Sequence, residues 1–529
     1  MSSTERAEPG SIGSEGLFAT YQLDGFFDEV FDHDGRVRPH YAPLLARLTG
    51  FTPDDLLKRA RLRDAAFRSQ GITFTVYDEG EGIERTFPMD LLPRILPADE
   101  WDHIEAGLVQ RVQALNAFLD DLYVGERAAL HEGIIPTWVV ESSDGFCREA
   151  FGIPVPLGAR CLVAGVDLVR DGDGTYRVLE DNLRNPSGIS YVIENRVAMT
   201  RVLPTVFADQ QIRPVDHYGR SLLNALHRVA PAASSDRPTV VVLTPGVFNS
   251  AYFEHVFLAS QMGVELVEGR DLVVDDHVVS MRTTQGLQRV DVIYRRIDND
   301  FLDPVPFRTD STLGVPGLMA AARAGNVTIA NAVGNGVADD KAVYAYVPDF
   351  IRYYLGEEPI IPNVPTYLLW DEDQRADVLS RLDQLVIKPV AEAGGYGIII
   401  GPAASDEELE TCRNQILDDP RGYIAQEVVS LSRHPSLCDD HLEGRHIDLR
   451  PFVLSGDDIE VIPGGLTRVA MRKGSLVVNS SQGGGSKDTW VLAARPPASA
   501  GPGDGDGDGD APAGSDDGEP RDLIDEAQS

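Results

Sequence analysis

Hydrophobic and polar positions follow two different periods along this chain, and the switches between them mark out its elements. From Phe51 to Leu130 the pattern is mostly helical. In DEWDHIEAGLVQRVQALNAFLDDLY the apolar residues fall at Ile104, Leu108, Val112, Leu115, Leu119 and Leu122. That is i, i+4, i+8 spacing with small drift, which predicts one buried stripe on a long helix. A short strand, GITFTVY, interrupts the region near Ile72.

The next segment, ARCLVAGVDLVRDGDGTYRVLEDNLRNPSG, reads as a hairpin of two strands, CLVAGVDLV and TYRVLED. The turn between them is DGDG, whose Asp-Gly pairs supply the positive φ angles of a tight turn. Residues 196–230 read as helical and connecting. From Pro238 the texture changes to strand (TVVVLTP), helix (SAYFEHVFLASQMG) and strand (VELVEG), with a further strand, VDVIYRRI, downstream. That spacing predicts right-handed βαβ units and a parallel sheet. After residue 336, DDKAVYAYVPDFIRYYL is helical, LVIKPV a strand, AEAGGYG a glycine-rich loop and IIIG the returning strand. ASDEELETCRNQIL is a helix with Ser405 at its N-cap. YIAQEVV, HIDLRPFVL and IEVIPGGLTRVAM read as further strands. The fold class is α/β, with segments at 21–235, 236–335 and 336–495 between ends expected to be disordered, 1–20 and 496–529.

Composition narrows the function classes. The net charge is −36, and the tail from Pro496 contributes about −9 of it, from ten acids and one arginine. The remainder is acidic in its own right, which argues against general nucleic-acid binding. The tail, PPASAGPGDGDGDGDAPAGSDDGEP, is too rich in Gly, Asp and Pro to bury a core, and its DGDGDGDGD run lacks the closing glutamate of a Ca²⁺ loop. No apolar run is long enough to span a membrane. The first residues, MSSTERAEPGSIGSEG, lack the basic start and apolar stretch of a signal peptide, so a cytoplasmic protein is expected. Four cysteines without a CxxC pair point to incidental thiols.

Candidate chemistry gathers in four places. Glu180 and Asn182 stand i, i+2 on one strand and share a face, and Asp167 on the partner strand can reach it. Two carboxylates and an amide oxygen are hard ligands that suit Mg²⁺; taken alone, the trio also fits a polar strand face. Lys388 ends an apolar strand just before Gly394, Gly395 and Gly397. Glycines let backbone N–H groups approach phosphate oxygens, and a lysine adds a point charge; a structural turn fits equally. The strand IAQEVV can present Gln426, Glu427 and backbone groups to a base edge. Arg450, Arg468 and Lys487 are candidates to stabilise a transferring phosphoryl group, or are surface charges. His434, His441 and His446 lack metal-ligand spacing and read as a loop surface. The RRIDND cluster, Arg295 to Asp300, either lines a cleft beyond a strand end or is a solvated loop.

Together these elements resemble the ATP-grasp superfamily with the order rotated. Lys341 in ADDKAVY resembles the first lysine, Lys388 with its glycines the second lysine and lid, IAQEVV the adenine hinge, and DLRPFV the arginine strand. The metal hairpin that normally comes last stands near Asp167. Its text is similar to that of the ribosomal-protein glutamate ligases, differing in the LRNPSG segment. From Phe51 to Leu492 the chain resembles the circularly permuted type 2 ATP-grasp proteins, with VLEDNLRNPSG and NSSQGGGSKDTW as the most specific strings, and more distantly glutathionylspermidine synthetase. The resemblance implies an α+β ATP-grasp fold in permuted order with a Rossmann-like domain at 236–335 and a nucleotide-binding lobe at 336–495. It implies ATP and Mg²⁺ as cofactors. Asp167, Glu180 and Asn182 would hold the metal. Lys341 and Lys388 would contact phosphates, Glu427 and adjacent backbone the adenine, Arg450 and Arg468 the phosphoryl group, and Arg184 a substrate carboxylate. The implied activity joins a small-molecule or peptide carboxylate to an amine; a phosphotransferase or a non-catalytic nucleotide-binding scaffold are the alternatives.

Overall fold

The computed structural model describes residues 17–494, except 79–80, 392–396, 440 and 479–483. Its organising feature is a nine-stranded sheet assembled from distant parts of the chain. Its first hairpin, Val163–Arg170 with Tyr176–Asn182, forms where the DGDG turn predicts it, with Gly174 at φ 87°. Val163–Arg170 pairs antiparallel with both His441–Arg450 and Phe452–Ser455, about 280 residues later, through Leu168 opposite Leu449 and Gly165 opposite Phe452. His441–Arg450 continues to Leu466–Val469, then to Gly485–Val491, which pairs in parallel with Met89–Leu96. The sequence string HIDLRPFVL is thus two strands. Pro451, which has no N–H for a ladder, separates them.

The long helix spans Ala98–Tyr123, and all six residues of its predicted stripe are buried. Each such leucine or isoleucine contributes roughly 1.5–3 kcal/mol relative to exposure. Phe118 stacks on Phe350 at 4.2 Å. The stretch DDKAVYAYVPDFIRYYL is helical as predicted but broken, into Lys341–Tyr344 and a continuous run of Val347–Phe350 and Ile351–Leu355, with Pro348 in the first turn of that run.

The βαβ pattern yields a four-stranded parallel sheet in the order Thr328–Ala330, Val292–Arg295, Val240–Leu243, Glu265–Val267. Asn331 at its rim fastens it to the hairpin. The Asn331 amide donates to the Val163 and Leu183 carbonyls at 2.7 and 2.8 Å and accepts from the Val163 N–H at 2.8 Å. A second four-stranded sheet is antiparallel, Thr366–Leu368, Tyr423–Glu427, Leu385–Pro389, Ile399–Ile400. The helix Asp406–Asp418 packs on one face of it through Cys412 and Ile416. That leaves Lys388, Val386 and Gln426 on the opposite face.

Several expectations change. Leu17 is buried and Phe18 packs against Phe31, while Ala19 and Thr20 are exposed; 1–16 and the acidic tail lie outside the described residues. His434 and His446 are buried on paired strands rather than on a loop surface, because the segment between them is a β-hairpin against the large sheet. Cys147, Cys161 and Cys412 are free and buried, and Cys438 is free and half-buried.

Candidate functional site

A cleft of about 920 Å³ opens between the large sheet and the small antiparallel sheet. From the large sheet come Asp167, Glu180, Asp448 and Arg468; from the small sheet come Lys388, Gln426 and Glu427; Lys341 stands at the junction. Leu179, Val386, Ile400 and Val429 give the cleft an apolar flank.

The hairpin register puts Asp167 directly opposite Glu180 and Gly165 opposite Asn182, so the three candidate ligands share one stretch of ladder. The adjacent Asp181 points to the other side. There Arg111 of the long helix grips it through two bonds of 2.6 and 2.7 Å, which pins the strand. Asp167 is fully buried. It accepts Arg450 Nε at 2.5 Å and Nη2 at 2.8 Å, and Arg468 Nη2 at 2.6 Å. Burial pushes its carboxyl up, but the two guanidinium groups outweigh this and hold it well below the usual carboxylate range. Arg468 is shared with Asp448, which accepts its Nε at 2.9 Å. Asp448, two residues before Arg450 on the same strand face, is the site residue that sequence reasoning passed over, although the i, i+2 spacing in DLR carries the signal.

Glu180 lies 3.9 Å from Lys341 Nζ and 3.9 Å from Arg450 Nη2. Lys388 is buried, and its ammonium is pulled down to about 8; desolvation is the main cause, Lys341 adds to it, and Glu180 and Asp167 oppose it. Gly397, which follows the glycine loop, has φ 68°, and a Cβ there would come within 2.9 Å of Pro389 Cγ. Only glycine suits both demands. Gly394 and Gly395 lie outside the described residues.

Gln426 and Glu427 face opposite ways. The Glu427 carboxylate accepts the Tyr367 hydroxyl at 2.6 Å and Arg381 Nη1 at 2.9 Å, so its side chain is occupied by neighbours in the small sheet. Gln426 is buried and donates to Thr366 Oγ1 at 3.0 Å, while Thr366 donates to the Val364 carbonyl at 2.8 Å. The Thr366 oxygen is therefore an acceptor toward Gln426, which fixes the amide's orientation. Its Oε1 has no hydrogen-bond partner among the described residues.

Lys487 does not join the site. It pairs opposite Thr467, on the sheet face away from Arg468, and its ammonium bonds Asp90 at 2.5 Å and the Pro435 carbonyl at 2.9 Å. The period-2 alternation of the strand decides this.

Beyond Glu180 and Lys341 the cleft continues into a second cavity of about 1000 Å³. Arg184 lines it, anchored through Nε to Asp339 at 2.9 Å; Asp339 also accepts the Leu183 N–H at 2.6 Å. Burial raises Asp339 to about 6 against the opposing pull of Arg184. The RRIDND cluster divides. Arg295 and Arg296 are buried, Arg295 on the carbonyls of Asn331 and Ile297, Arg296 on Glu254 and Ser187. Asp298, Asn299 and Asp300 line the second cavity, beyond the carboxyl end of a parallel strand. Glu254 and Arg296 also fasten the LRNPSG segment, through the Gly188 N–H at 2.7 Å and the Pro186 carbonyl at 2.8 Å.

The trio suits a hard divalent cation. Two carboxylates and an amide oxygen are hard oxygen donors, and Asp167 keeps about one of its roughly four acceptor positions beside the three taken by Arg450 and Arg468.

Two sheets closing on a cleft, with lysines on one wall and a carboxylate hairpin with arginines on the other, define an ATP-grasp protein. The chain belongs to the circularly permuted ATP-grasp type 2 family, whose model matches residues 93–470. It is 56% identical over 474 residues to an uncharacterized protein of Synechocystis, covering 89% of this chain and 98% of that one. It is 53% identical over 505 residues to an uncharacterized protein of Mycobacterium tuberculosis, covering 94% and 90%. A Frankia alni protein, named as a proposed glutamate–cysteine ligase, is 50% identical over 475 residues; the match covers 90% of this chain but 54% of that protein. Among solved structures, a glutathione synthetase-like effector from Globodera pallida superimposes with a TM-score of 0.53 at 11% identity, covering 84% of this chain and 98% of that one, a likeness of fold.

Proposed function

We propose that this protein is an ATP- and Mg²⁺-dependent ligase that joins a carboxylate to an amine. The observation that carries the reading is the meeting of Glu180, Lys341 and Lys388 in one cleft that runs on into a second cavity. Lys341 and Lys388 meet the ATP phosphates, beside the close backbone approach at Gly397. The uncommitted Gln426 Oε1 accepts from the adenine amino group, and the backbone at Glu427 completes the base edge. Asp167, Glu180 and Asn182 would hold Mg²⁺. When bound, the metal offsets negative charge on the phosphate oxygens.

In the first step an oxygen of the substrate carboxylate, held by Arg184, attacks the γ-phosphorus. The bond to the bridging oxygen of ADP breaks and an acyl phosphate forms. Arg450 and Arg468 stabilise the charge on the transferring group. In the second step an amine nitrogen attacks the acyl carbon, loses a proton, and inorganic phosphate leaves as the amide forms. Most of the catalysis is positioning.

Calorimetric titration of ATP with and without Mg²⁺, on wild type and on Glu180→Ala and Lys388→Ala, tests the reading. Mg²⁺-dependent binding lost in both variants is expected, followed by ADP and phosphate release with a suitable carboxylate and amine. A wild type that binds no ATP overturns the nucleotide site; a phosphorylated acceptor without an amide overturns the ligase.

A further inference from the structure

The second cavity is electrically uneven in a way that selects its occupant. Asp181 and Asp340 line it but are neutralised from outside, by Arg111 and by Arg421 at 2.8 Å. Asp339 is matched by Arg184, and Glu180 faces Lys341. Asp144, Asp298 and Asp300 remain, exposed and without an ion pair among the described residues, although Asp298 accepts the Asn185 amide at 3.3 Å and both Asp298 and Asp300 act at longer range on Arg184. They come from separate segments, Asp144 from the loop before Gly145 and the other two from the end of the parallel strand Val292–Arg295. Burying a ligand against these charges requires cations.

The same cavity holds one built anion site. Among the described residues Arg184 is tied to Asp339 by Nε alone, so both terminal nitrogens face the cavity as a fork for a ligand. The Asp339 bond and the neighbouring Leu183 N–H contact keep the fork directed from the hairpin exit, beside Asn182. A purely anionic substrate would satisfy the fork and oppose three aspartates. A simple diamine would satisfy the aspartates and leave the fork empty.

We infer that the second cavity takes a small molecule with one carboxylate and two ammonium groups, the charge pattern of a basic amino acid, with its carboxylate on Arg184 and its cations on Asp298, Asp300 and Asp144. The inference rests on the ligase reading for what happens next, but the binding itself does not require turnover.

Calorimetric titrations of the full chain with L-lysine, L-norleucine, 1,5-diaminopentane and L-glutamate test it, each with and without ATP and Mg²⁺. L-Lysine is expected to bind at least tenfold more tightly than the other three. Arg184→Gln should reduce lysine binding tenfold or more while leaving 1,5-diaminopentane within twofold. Asp298→Asn with Asp300→Asn should weaken lysine and diaminopentane, and weaken norleucine, which has only its α-ammonium, by less. Glutamate binding as tightly as lysine, no preference among the four, or no binding of any probe overturns the inference. Circular dichroism and ATP affinity of each variant separate these results from misfolding. ATP binding on the same samples reads the nucleotide site independently, so a failure there is distinguishable from a failure here.

Discussion

Lys388 is a cation placed where water cannot solvate it well. Desolvation brings it down to about 8, below the ordinary lysine range. The native state therefore sheds this proton before the unfolded chain does, and the group's contribution to stability rises with pH between about 8 and the unfolded value. Nucleotide affinity runs the other way, because a neutral amine loses its attraction for phosphate. ATP affinity is expected to fall as pH rises through about 8, with proton uptake on binding near that pH, both readable by calorimetry in buffers of different ionisation enthalpy. In Lys388→Arg the fall near pH 8 should vanish, since a guanidinium stays charged; its persistence would assign the effect elsewhere. At the same scale, Asp167 and Asp448 show that the arginines of the site are held by acids of the same sheet, so charge reaches the cleft already oriented.

Among the elements, the helix Asp406–Asp418 behaves as a local unit. Ser405 Oγ accepts the Glu408 N–H at 3.3 Å and Glu408 reaches back to the Ser405 N–H at 2.7 Å, a reciprocal capping box. Ser405→Ala is expected to cost about 1 kcal/mol in urea unfolding. The helix packs on the small-sheet face away from Lys388, so ATP affinity should stay within twofold; a larger loss would mean that the helix orders the cleft. The hairpin is the opposite case. Its turn is local, yet its position depends on Asn331, Arg111 and strands that arrive hundreds of residues later.

Over the whole molecule, net charge sets the solution behaviour. At −36 the described body and its tail repel themselves, and added salt screens this, from a Debye length of about 30 Å at 0.01 M to about 3 Å at 1 M. The melting temperature is expected to rise by several degrees between roughly 0.01 and 0.5 M NaCl. A fall would mean that attractive pairs such as Arg170 with Glu100 dominate the electrostatics. Among the described residues no helix is long and apolar enough to cross a membrane.

Much of this protein is determined close to the chain itself. The stripe of Ala98–Tyr123, the DGDG hairpin and the Ser405 cap are legible because each rests on contacts within a few residues, where period and turn chemistry leave little choice, and the βαβ units because their spacing restricts the connection. The site trio was legible because i, i+2 spacing sets a strand face. Tertiary structure decided what lies across that face. Nothing local distinguishes Lys487 from Arg468 as a site cation, since only sheet register turns one inward to Asp90 and the other to Asp167. Likewise, Glu427 is drawn off by Arg381 and Tyr367, residues more than 45 positions away, and Asp298 and Asp300 become cavity walls only when the parallel sheet docks on the hairpin. Periodicity records which side of an element is buried; the partner that buries it, and so the charge it meets, comes from elements that only the folded chain brings together.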